Sequence, residues 1–311
     1  MIKTLAYGPI AAFFLTAGLL TPGFLTSAAA SDGPWLMREI ARAKANSIID
    51  IPPGAYDLTD VKIAKSLTLR GAADGTTVLR SAEVAEKGIL VPLTGVDLTV
   101  ENITFEGARS WDRNGAGIRH EGRNLTIVNC RFINNDDGVL STGSPMGEIT
   151  IAASSFTGNG FGDGQSHAIY VVDAAKLTIT QSRFIGTRIG HHVKSLAAVT
   201  RISNSSFDDG HGRTSYSVDA SRGGDVTIVE NTFIQAADAD NSAIINYDLT
   251  RGGKAGALVV SANKITNFFN GGVLLRNDTR SAPVMSGNTI LNRGGQELRT
   301  VSKGSPSPIS N

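Results

Sequence analysis

Apolar and polar residues alternate within a short segment that is repeated along most of the chain. Its copies begin at residues 98, 125, 149, 177, 199 and 226, and they read LTVENITF, LTIVNCRF, ITIAASSF, LTITQSRF, VTRISNSSF and VTIVENTF. The closing Phe, or Ile in two weaker copies, recurs after 27, 24, 28, 23, 26, 32 and 25 residues. The alternation predicts a strand with one buried face, and recurrence at this period predicts a repeat architecture.

The stretches between the copies are clusters of Gly, Asn, Asp and Ser, which are typical of turns and leave almost no room for helices. A second strand is predicted in each coil, with its centre at Ile118, Val139, Ile169, Val193, Val218, Ile244 and Val273. We therefore predict an all-β, single-domain parallel solenoid whose coils stack at roughly 4.8 Å. Amides near the closing residue predict a ladder that caps turn backbone groups, formed by Asn102, Asn129, Asn204, Asn231, Asn263 and Asn288.

The N-terminus has the pattern of a secretory signal peptide over residues 1–30. Lys3 supplies a positive charge, residues 10–20 are an apolar run, and three alanines precede a cut before Ser31. We therefore expect the mature protein to be secreted or periplasmic.

The ends of the mature chain depart from the repeat. Leu36 and Ile40 lie at helical spacing, so we predict a capping helix at about 35–45 that covers the first coil of a β-helix domain spanning 31–299. Residues 300–311 are rich in Ser and Pro and predict a flexible tail.

Composition narrows the classes of partner. Charged residues make up 18% of the chain and the formal net charge is +1, which argues against binding to nucleic acid or to an anionic membrane surface. The single cysteine, Cys130, follows a ladder asparagine and is interpreted as a buried side chain. We expect a monomer that has no membrane association after signal cleavage.

Three consecutive coils carry the strongest functional signal. Two residues before their second-strand centres lie His167, His191 and Tyr216, and one residue after the centres lie Tyr170, Lys194 and Asp219. Four of the ten Tyr and His residues of the chain fall in these six positions, so two columns of chemically active side chains are predicted about 4.8 Å apart from coil to coil. Strict alternation buries the first column unless the chain bends before the strand. His192 is expected to point outward with Lys194.

The repeats, the IPPGAYDL segment and the cap helix resemble the right-handed parallel β-helix superfamily of pectate lyases and polygalacturonases. The resemblance implies a right-handed parallel β-helix with a polysaccharide, usually an acidic one, bound along one face. Asn134 to Asp137 and Gly190 to His192 echo parts of the polygalacturonase motifs, but no Arg-Ile-Lys follows them. The motifs His-x-x-Tyr, Gly-His-x-x-Lys-Ser and Tyr-x-x-Asp resemble those of a group of secreted bacterial β-helix-repeat proteins.

The two columns suit proton abstraction beside a carboxylate. β-Elimination in a uronic-acid chain needs a base, groups that stabilise the enolate, and an acid for the leaving oxygen. The candidates are Lys194 or His191 as the base, Tyr170 or Tyr216 as the acid, Asp219 as the group that orients Lys194 or a histidine, and His167 and His192 as substrate-binding groups. Lys194 is also a candidate for neutralising the substrate carboxylate. A polysaccharide lyase or a C5-epimerase is therefore predicted.

Two other functions remain open at this point. A glycoside hydrolase of the polygalacturonase type needs two carboxylates roughly 5 to 9.5 Å apart, and only Asp173 or Asp248 is expected near Asp219. A non-catalytic scaffold that binds exopolysaccharide or the cell surface favours exposed aromatic platforms, whereas aromatic residues make up 6% of the chain. No cofactor or metal is predicted, and candidates for a calcium site are turn acids: Asp136, Asp137, Asp163 and Asp173.

Overall fold

The computed structural model describes residues 30–31, 33–302 and 305–308. One helix, α1 (Gly33–Arg42), precedes the repeats. The strands up to the middle of the chain are β1 (Ala30–Ser31), β2 (Ser47–Asp50), β3 (Gly54–Leu58), β4 (Val61–Ile63), β5 (Leu67–Arg70), β6 (Thr77–Ser81), β7 (Gly88–Pro92), β8 (Asp97–Glu101), β9 (Ile103–Glu106), β10 (Ala116–His120), β11 (Asn124–Val128), β12 (Arg131–Ile133), β13 (Asp137–Ser141), β14 (Glu148–Ala152), β15 (Ser155–Thr157) and β16 (Ile169–Val171). The rest are β17 (Lys176–Thr180), β18 (Arg183–Ile185), β19 (Val193–Ser195), β20 (Val199–Ser203), β21 (Ser206–Asp208), β22 (Val218–Ala220), β23 (Gly223–Val229), β24 (Thr232–Gln235), β25 (Ala243–Tyr247), β26 (Lys254–Ser261), β27 (Lys264–Asn267), β28 (Val273–Asn277), β29 (Val284–Ser286), β30 (Thr289–Asn292), β31 (Arg299–Ser302) and β32 (Ser305–Pro308).

These strands form three long sheets that wind together as a parallel β-helix. The first sheet contains β3, β6, β9 and every third strand to β30, the second runs from β2 to β29, and the third runs from β4 to β32. Every pair is parallel except β31 with β32. Each coil therefore contributes one strand to each sheet. A coil has three strands where the sequence predicted two, because the repeated segment divides into two strands, as at β8 and β9.

The core is a column of identical side chains. Six fully buried phenylalanines stack coil on coil with ring centroids 4.6 to 4.9 Å apart: Phe105, Phe132, Phe156, Phe184, Phe207 and Phe233. Alternating Leu, Ile and Val residues of the second sheet are buried beside them. Stacking buries apolar area between neighbouring coils, which is where a solenoid gains its stability.

The predicted asparagine ladder divides into two structures. Asn102, Asn129 and Asn204 have φ of 58°, 51° and 50°, so they supply the left-handed corner that Asn adopts more readily than most residues. The residue that follows this corner in each coil belongs to the buried ladder. Its backbone N–H donates to the side-chain oxygen of the equivalent residue in the following coil. The members of the ladder are Cys130, as donor only, then Ser154, Ser182, Ser205, Asn231, Asn263 and Asn288.

The predicted centres of the second strand are confirmed from Ile118 to Val218, and the last two are wrong. Val218 pairs with Ile245 instead of Ile244, and Ile245 pairs with Leu275. The adjacent apolar residues in Ile244–Ile245 and in Val273–Leu275 contain no alternation, so the pattern could not decide which of them faces inward.

The capping helix lies at Gly33–Arg42 rather than 35–45, and it buries Leu36 and Ile40. The polypeptide leaves the helix before Asn46, where φ is 63°. No helix within the described residues is long and apolar enough to cross a membrane.

The predicted signal peptide at residues 1–30 lies outside the described residues except for Ala30. The predicted flexible tail, 300–311, lies partly outside them. Its described part contains the end of β31 and all of β32, which pair antiparallel.

Candidate functional site

Three neighbouring strands of the third sheet bring the predicted columns together. Tyr170 on β16 pairs with Lys194 on β19, and Lys194 pairs with Asp219 on β22. The same outward column continues to Asn246 on β25 and Arg276 on β28. The corrected register therefore adds an amide and a guanidinium to the predicted site.

The column His167, His191 and Tyr216 faces the same surface, because the chain bends just before each strand. His191 Nε2 lies 3.6 Å from Asp219 Oδ2, although the two residues belong to different columns. Tyr216 is partly exposed, whereas the side chain of His191 is 11% exposed. The columns therefore form one site.

A ladder of backbone hydrogen bonds fixes the two histidine rings. The N–H of His167 donates to Asp137 Oδ1 at 2.6 Å, the N–H of His191 donates to His167 Nδ1 at 3.0 Å, and the N–H of Tyr216 donates to His191 Nδ1 at 3.1 Å. The rings of His167 and His191 stack with centroids 4.7 Å apart. Because each Nδ1 is an acceptor, each neutral ring carries its proton on Nε2.

Burial agrees with this protonation state. It lowers the pKa of His191 to about 3 and the pKa of His167 well below its usual value. Nearby Lys194 acts in the same direction on both rings. His191 therefore presents an N–H to the site near neutral pH. It is a hydrogen-bond donor, and the prediction that it is the base does not fit its geometry.

Lys194 lies at the centre of the site. Its Nζ is 3.9 Å from Asp219 Oδ2 and 5.1 Å from the centroid of the Tyr170 ring, and its side chain is 11% exposed. Burial lowers the pKa of Lys194, Arg251 lowers it further, and Asp219 opposes both. An amine that loses its proton more easily than an ordinary lysine is a candidate general base.

Asp219 is held by neutral donors. Asn246 Nδ2 donates to its Oδ1 at 2.8 Å, and Ser221 Oγ donates to its Oδ2 at 3.0 Å. The same Asn246 nitrogen donates to Asp248 Oδ2 at 2.8 Å. Burial raises the pKa of Asp219, while Asn246 and Lys194 oppose the rise. The predicted orienting role of Asp219 toward Lys194 and His191 fits these contacts.

Tyr216 has a cationic neighbour that the sequence did not reveal. Arg276 Nη1 lies 3.4 Å from the Tyr216 hydroxyl oxygen, and both residues line a cleft of about 220 Å³. Burial raises the pKa of Tyr216, and Arg276 opposes the rise. The phenol keeps its proton and accepts from Arg276, so its O–H remains available as a donor.

The prediction that His192 points outward is wrong. Its side chain is fully buried between Phe184 and Phe207, with Nδ1 2.8 Å from Thr187 Oγ1 and Nε2 3.4 Å from Asp209 Oδ1. The bend that brings position 191 to the surface turns position 192 into the core, so His192 cannot contact a polysaccharide.

His167 is only 1% exposed, and its ring stacks on that of His191 in the next coil. It also cannot contact a polysaccharide directly in this conformation. Of the six column positions, Tyr170 and Tyr216 are partly exposed, and His191 and Lys194 retain a small exposed fraction. Asp219 and His167 are buried behind them.

The acids considered for calcium are separated. Asp136 and Asp137 are fully buried and accept backbone N–H groups, from Ser110 and from His167 respectively. Asp163 pairs with Arg113 at 3.6 Å, and Asp173 pairs with Arg222 at 3.3 Å. Among the residues that the structure describes, no three His, Cys, Asp or Glu side chains are grouped to hold a metal ion.

Comparison with protein-family profiles and with curated protein sequences finds no match. Among solved structures, the chain is similar to AlyGC, a PL6-family alginate lyase, with 15% identity and a TM-score of 0.52 over 85% of this chain and 39% of that one. It is also similar to an alginate lyase from Paenibacillus sp. str. FPU-7, with 15% identity and a TM-score of 0.51 over 85% of this chain and 94% of that one. The fold is a parallel β-helix. The chain spans less than half the length of AlyGC and nearly all of the Paenibacillus enzyme.

Proposed function

We propose that this protein is a secreted, monomeric lyase that cleaves an acidic polysaccharide by β-elimination. The observation that carries the proposal is the environment of Lys194, whose amine lies between a carboxylate and a phenol ring and has a lowered pKa. Perturbed titratable groups on an exposed face are typical of catalytic sites. The two alginate lyases with this fold act on an acidic polysaccharide, which supports the same substrate class here.

The first step assigned to Lys194 is proton abstraction. In a uronic-acid unit linked through C4, the neutral amine removes the proton on C5, and the electron pair moves into the adjacent carboxylate. Arg251 and Arg276 are the guanidinium groups near Lys194 and Tyr216, and they would stabilise the additional negative charge. His191 Nε2 lies 3.6 Å from Asp219 Oδ2 and directs a partial positive charge toward the carboxylate that neighbours the resulting ammonium ion.

The second step assigned to Tyr216 is protonation of the leaving group. Electrons return from the enolate to form the C4=C5 double bond, the C4–O bond breaks, and the Tyr216 hydroxyl donates its proton to the departing oxygen. The raised pKa of Tyr216 keeps this proton in place until it is needed. Proton transfer from Lys194 to the phenolate through solvent restores both groups.

A C5-epimerase is the second candidate. It shares the abstraction step and returns a proton to the opposite face of C5 instead of expelling the leaving oxygen. Tyr170 and Tyr216 lie in different columns on either side of Lys194, and burial raises the pKa of both phenols. The site therefore contains a second protonated hydroxyl group, which would return a proton to the opposite face of C5.

A glycoside hydrolase fits the geometry less well. Asp219 and Asp248 are the paired carboxylates nearest the columns, and both accept hydrogen bonds of 2.8 Å from the same Asn246 nitrogen. An amide nitrogen thus lies between them, where a hydrolase would need room for the sugar and for water. A binding scaffold without catalysis is left as an outcome of the test.

The test incubates the mature protein with alginate, polygalacturonate and other uronic-acid polymers, with and without calcium. The ultraviolet absorbance of the unsaturated product is followed. A rise that is absent in Lys194→Ala supports the lyase. No rise, but exchange of solvent deuterium into C5, indicates the epimerase. New reducing ends without absorbance indicate a hydrolase, and binding alone indicates a scaffold.

A further inference from the structure

A groove runs along the solenoid beside Lys194, at the corner between the third and second sheets. Only three residues, 196 to 198, separate β19 from β20, whereas six residues separate β13 from β14 and six separate β25 from β26. Together with the four-residue turn after β16 and the two-residue turn after β22, this short turn forms the floor, and the six-residue turns lie at the two ends. The groove has a volume of about 340 Å³ and spans five successive coils, with Pro145, Asp173, Leu196, Arg222 and Lys254 among its lining residues.

An ion pair crosses this floor. Asp173 follows β16 and Arg222 follows β22, so the coil that carries Lys194 lies between them. Arg222 Nη1 is nevertheless 3.3 Å from Asp173 Oδ1, and the two side chains are 41% and 35% exposed. A partly exposed pair of this kind contributes only about 0 to 1 kcal/mol to stability. It can therefore open at little cost.

The groove lies next to the candidate site. Leu196 follows Lys194 by two residues on the outward side of the same coil, and it forms part of the groove wall. Lys254 lines the C-terminal end, and Arg251 lies in the same turn segment, close enough to lower the pKa of Lys194. Positive charge is therefore concentrated at this end, which suits an anionic ligand.

We propose that this groove binds a second uronate unit of the polysaccharide, and that Arg222 receives its carboxylate. The proposal rests on the proposed function, because it takes an acidic polysaccharide as the substrate. In the free protein Asp173 forms an ion pair with the guanidinium of Arg222, and the substrate carboxylate takes the place of Asp173 in that pair. Arginine and a carboxylate can form two parallel hydrogen bonds, whereas Asp173 makes a single contact of 3.3 Å with Arg222, so the substrate carboxylate would gain a second bond.

This exchange makes a prediction that a purely structural ion pair does not. Arg222→Gln removes the carboxylate receptor and should weaken binding of a uronate oligosaccharide about five- to tenfold. Asp173→Asn removes the competitor and should strengthen binding by about two- to fivefold. The two substitutions break the same pair, and their effects on affinity are expected to have opposite signs.

The experiment measures the dissociation constants of oligoalginate and oligogalacturonate by calorimetry in a Lys194→Ala background, where turnover is prevented. Arg201→Gln is the matched control, since Arg201 is an exposed arginine on β20 in the second sheet. It should leave affinity unchanged. The affinity gained through Arg222 should fall as salt is added, because partly exposed charges are screened.

The outcomes separate this proposal from the lyase proposal. Equal losses of affinity in Arg222→Gln and Asp173→Asn, or no change in Arg222→Gln, would overturn the groove proposal even if the unsaturated product forms. Opposite effects on affinity without any unsaturated product would support the groove and contradict the lyase. Absence of binding to every uronate oligosaccharide would overturn both.

Discussion

His191 Nε2 lies 3.6 Å from Asp219 Oδ2, and Lys194 Nζ lies 3.9 Å from the same oxygen. One carboxylate oxygen is thus shared by a neutral N–H donor and an amine. Because His191 is kept neutral by burial and by the Tyr216 N–H on its Nδ1, it supports the carboxylate without competing for the proton that Lys194 must exchange. His191 therefore interacts with the carboxylate of Asp219, and Lys194 is left to transfer the proton.

Lys194→Ala should reduce the rate of product formation by about 10² to 10⁴-fold, because the proposed base is removed. The fold should survive, since the amine is at the surface end of the side chain. Lys264→Ala is the control, because Lys264 is an exposed lysine on β27, outside the third sheet. Circular dichroism and thermal unfolding verify folding. A variant that folds and retains full activity would exclude Lys194 as the base.

Asp219→Asn should shift the acidic limb of the pH–rate profile to lower pH. Asp219 raises the pKa of Lys194, so removal of its negative charge lets the amine lose its proton at a lower pH. The measurement is kcat/KM as a function of pH for both proteins. A shift of the limb toward higher pH would contradict the assignment of Lys194 as the titrating base.

Tyr216→Phe should lower kcat by about 10² to 10³-fold while leaving the fold intact, because the variant loses the proton donor and keeps the ring. A uronate glycoside with a good leaving group needs little protonation, so its elimination should be nearly unaffected. Tyr170→Phe is the comparison that assigns the acid. If Tyr170→Phe instead lowers kcat on the polysaccharide and leaves elimination of the good leaving group nearly unaffected, the acid is Tyr170.

The buried histidines should lower the stability of the fold as the pH falls from about 6.5 toward 4, whereas the buried acids, whose pKa burial raises, contribute in the opposite direction. Burial lowers the pKa of His120 to about 4 and of His191 to about 3, and it also lowers the pKa of His167. As the pH falls, these histidines bind protons in the unfolded chain before they do so in the folded protein. Between its unfolded and its folded pKa, each histidine therefore lowers the free energy of unfolding by about 1.4 kcal/mol per pH unit.

Urea unfolding at several pH values measures this slope. His191→Asn places an amide oxygen where Nδ1 accepts the Tyr216 N–H, and this variant should have a shallower slope. An unchanged slope would show that His191 is protonated to the same extent in the folded and unfolded states.

The sequence was sufficient to predict the coil fold and the register of the central strands, because Phe and the alternating aliphatic residues recur with little interruption. It was not sufficient for Asn246 and Arg276. The insertions in the later coils and the adjacent pair Ile244–Ile245 left two possible registers, and only the strand pairing decides between them. Had Ile245 been taken as the centre, Asn246 would have fallen in the column.

The inward turn of His192 could not be predicted from alternation. Ile189 has φ of 49°, and the bend there changes which side chains face outward before β19 begins. The contribution of Arg251 was also hidden, because it comes from a long turn whose path over the surface depends on the neighbouring coil. Local patterns describe a strand well, but they do not describe the corners or the turns between strands.

The phenylalanine column does not extend to either end of the solenoid. It is continued by Leu79 toward the N-terminus and by Ile265 and Ile290 toward the C-terminus, so its outermost coils have aliphatic contacts in place of ring stacking. Since each coil contacts only its neighbours, unfolding in a solenoid starts where those contacts are weakest. Partial denaturation should therefore open the molecule from its ends, like a zipper. The coils with Lys194 and Asp219 lie inside the aromatic column, and they should be the last to become accessible to a protease.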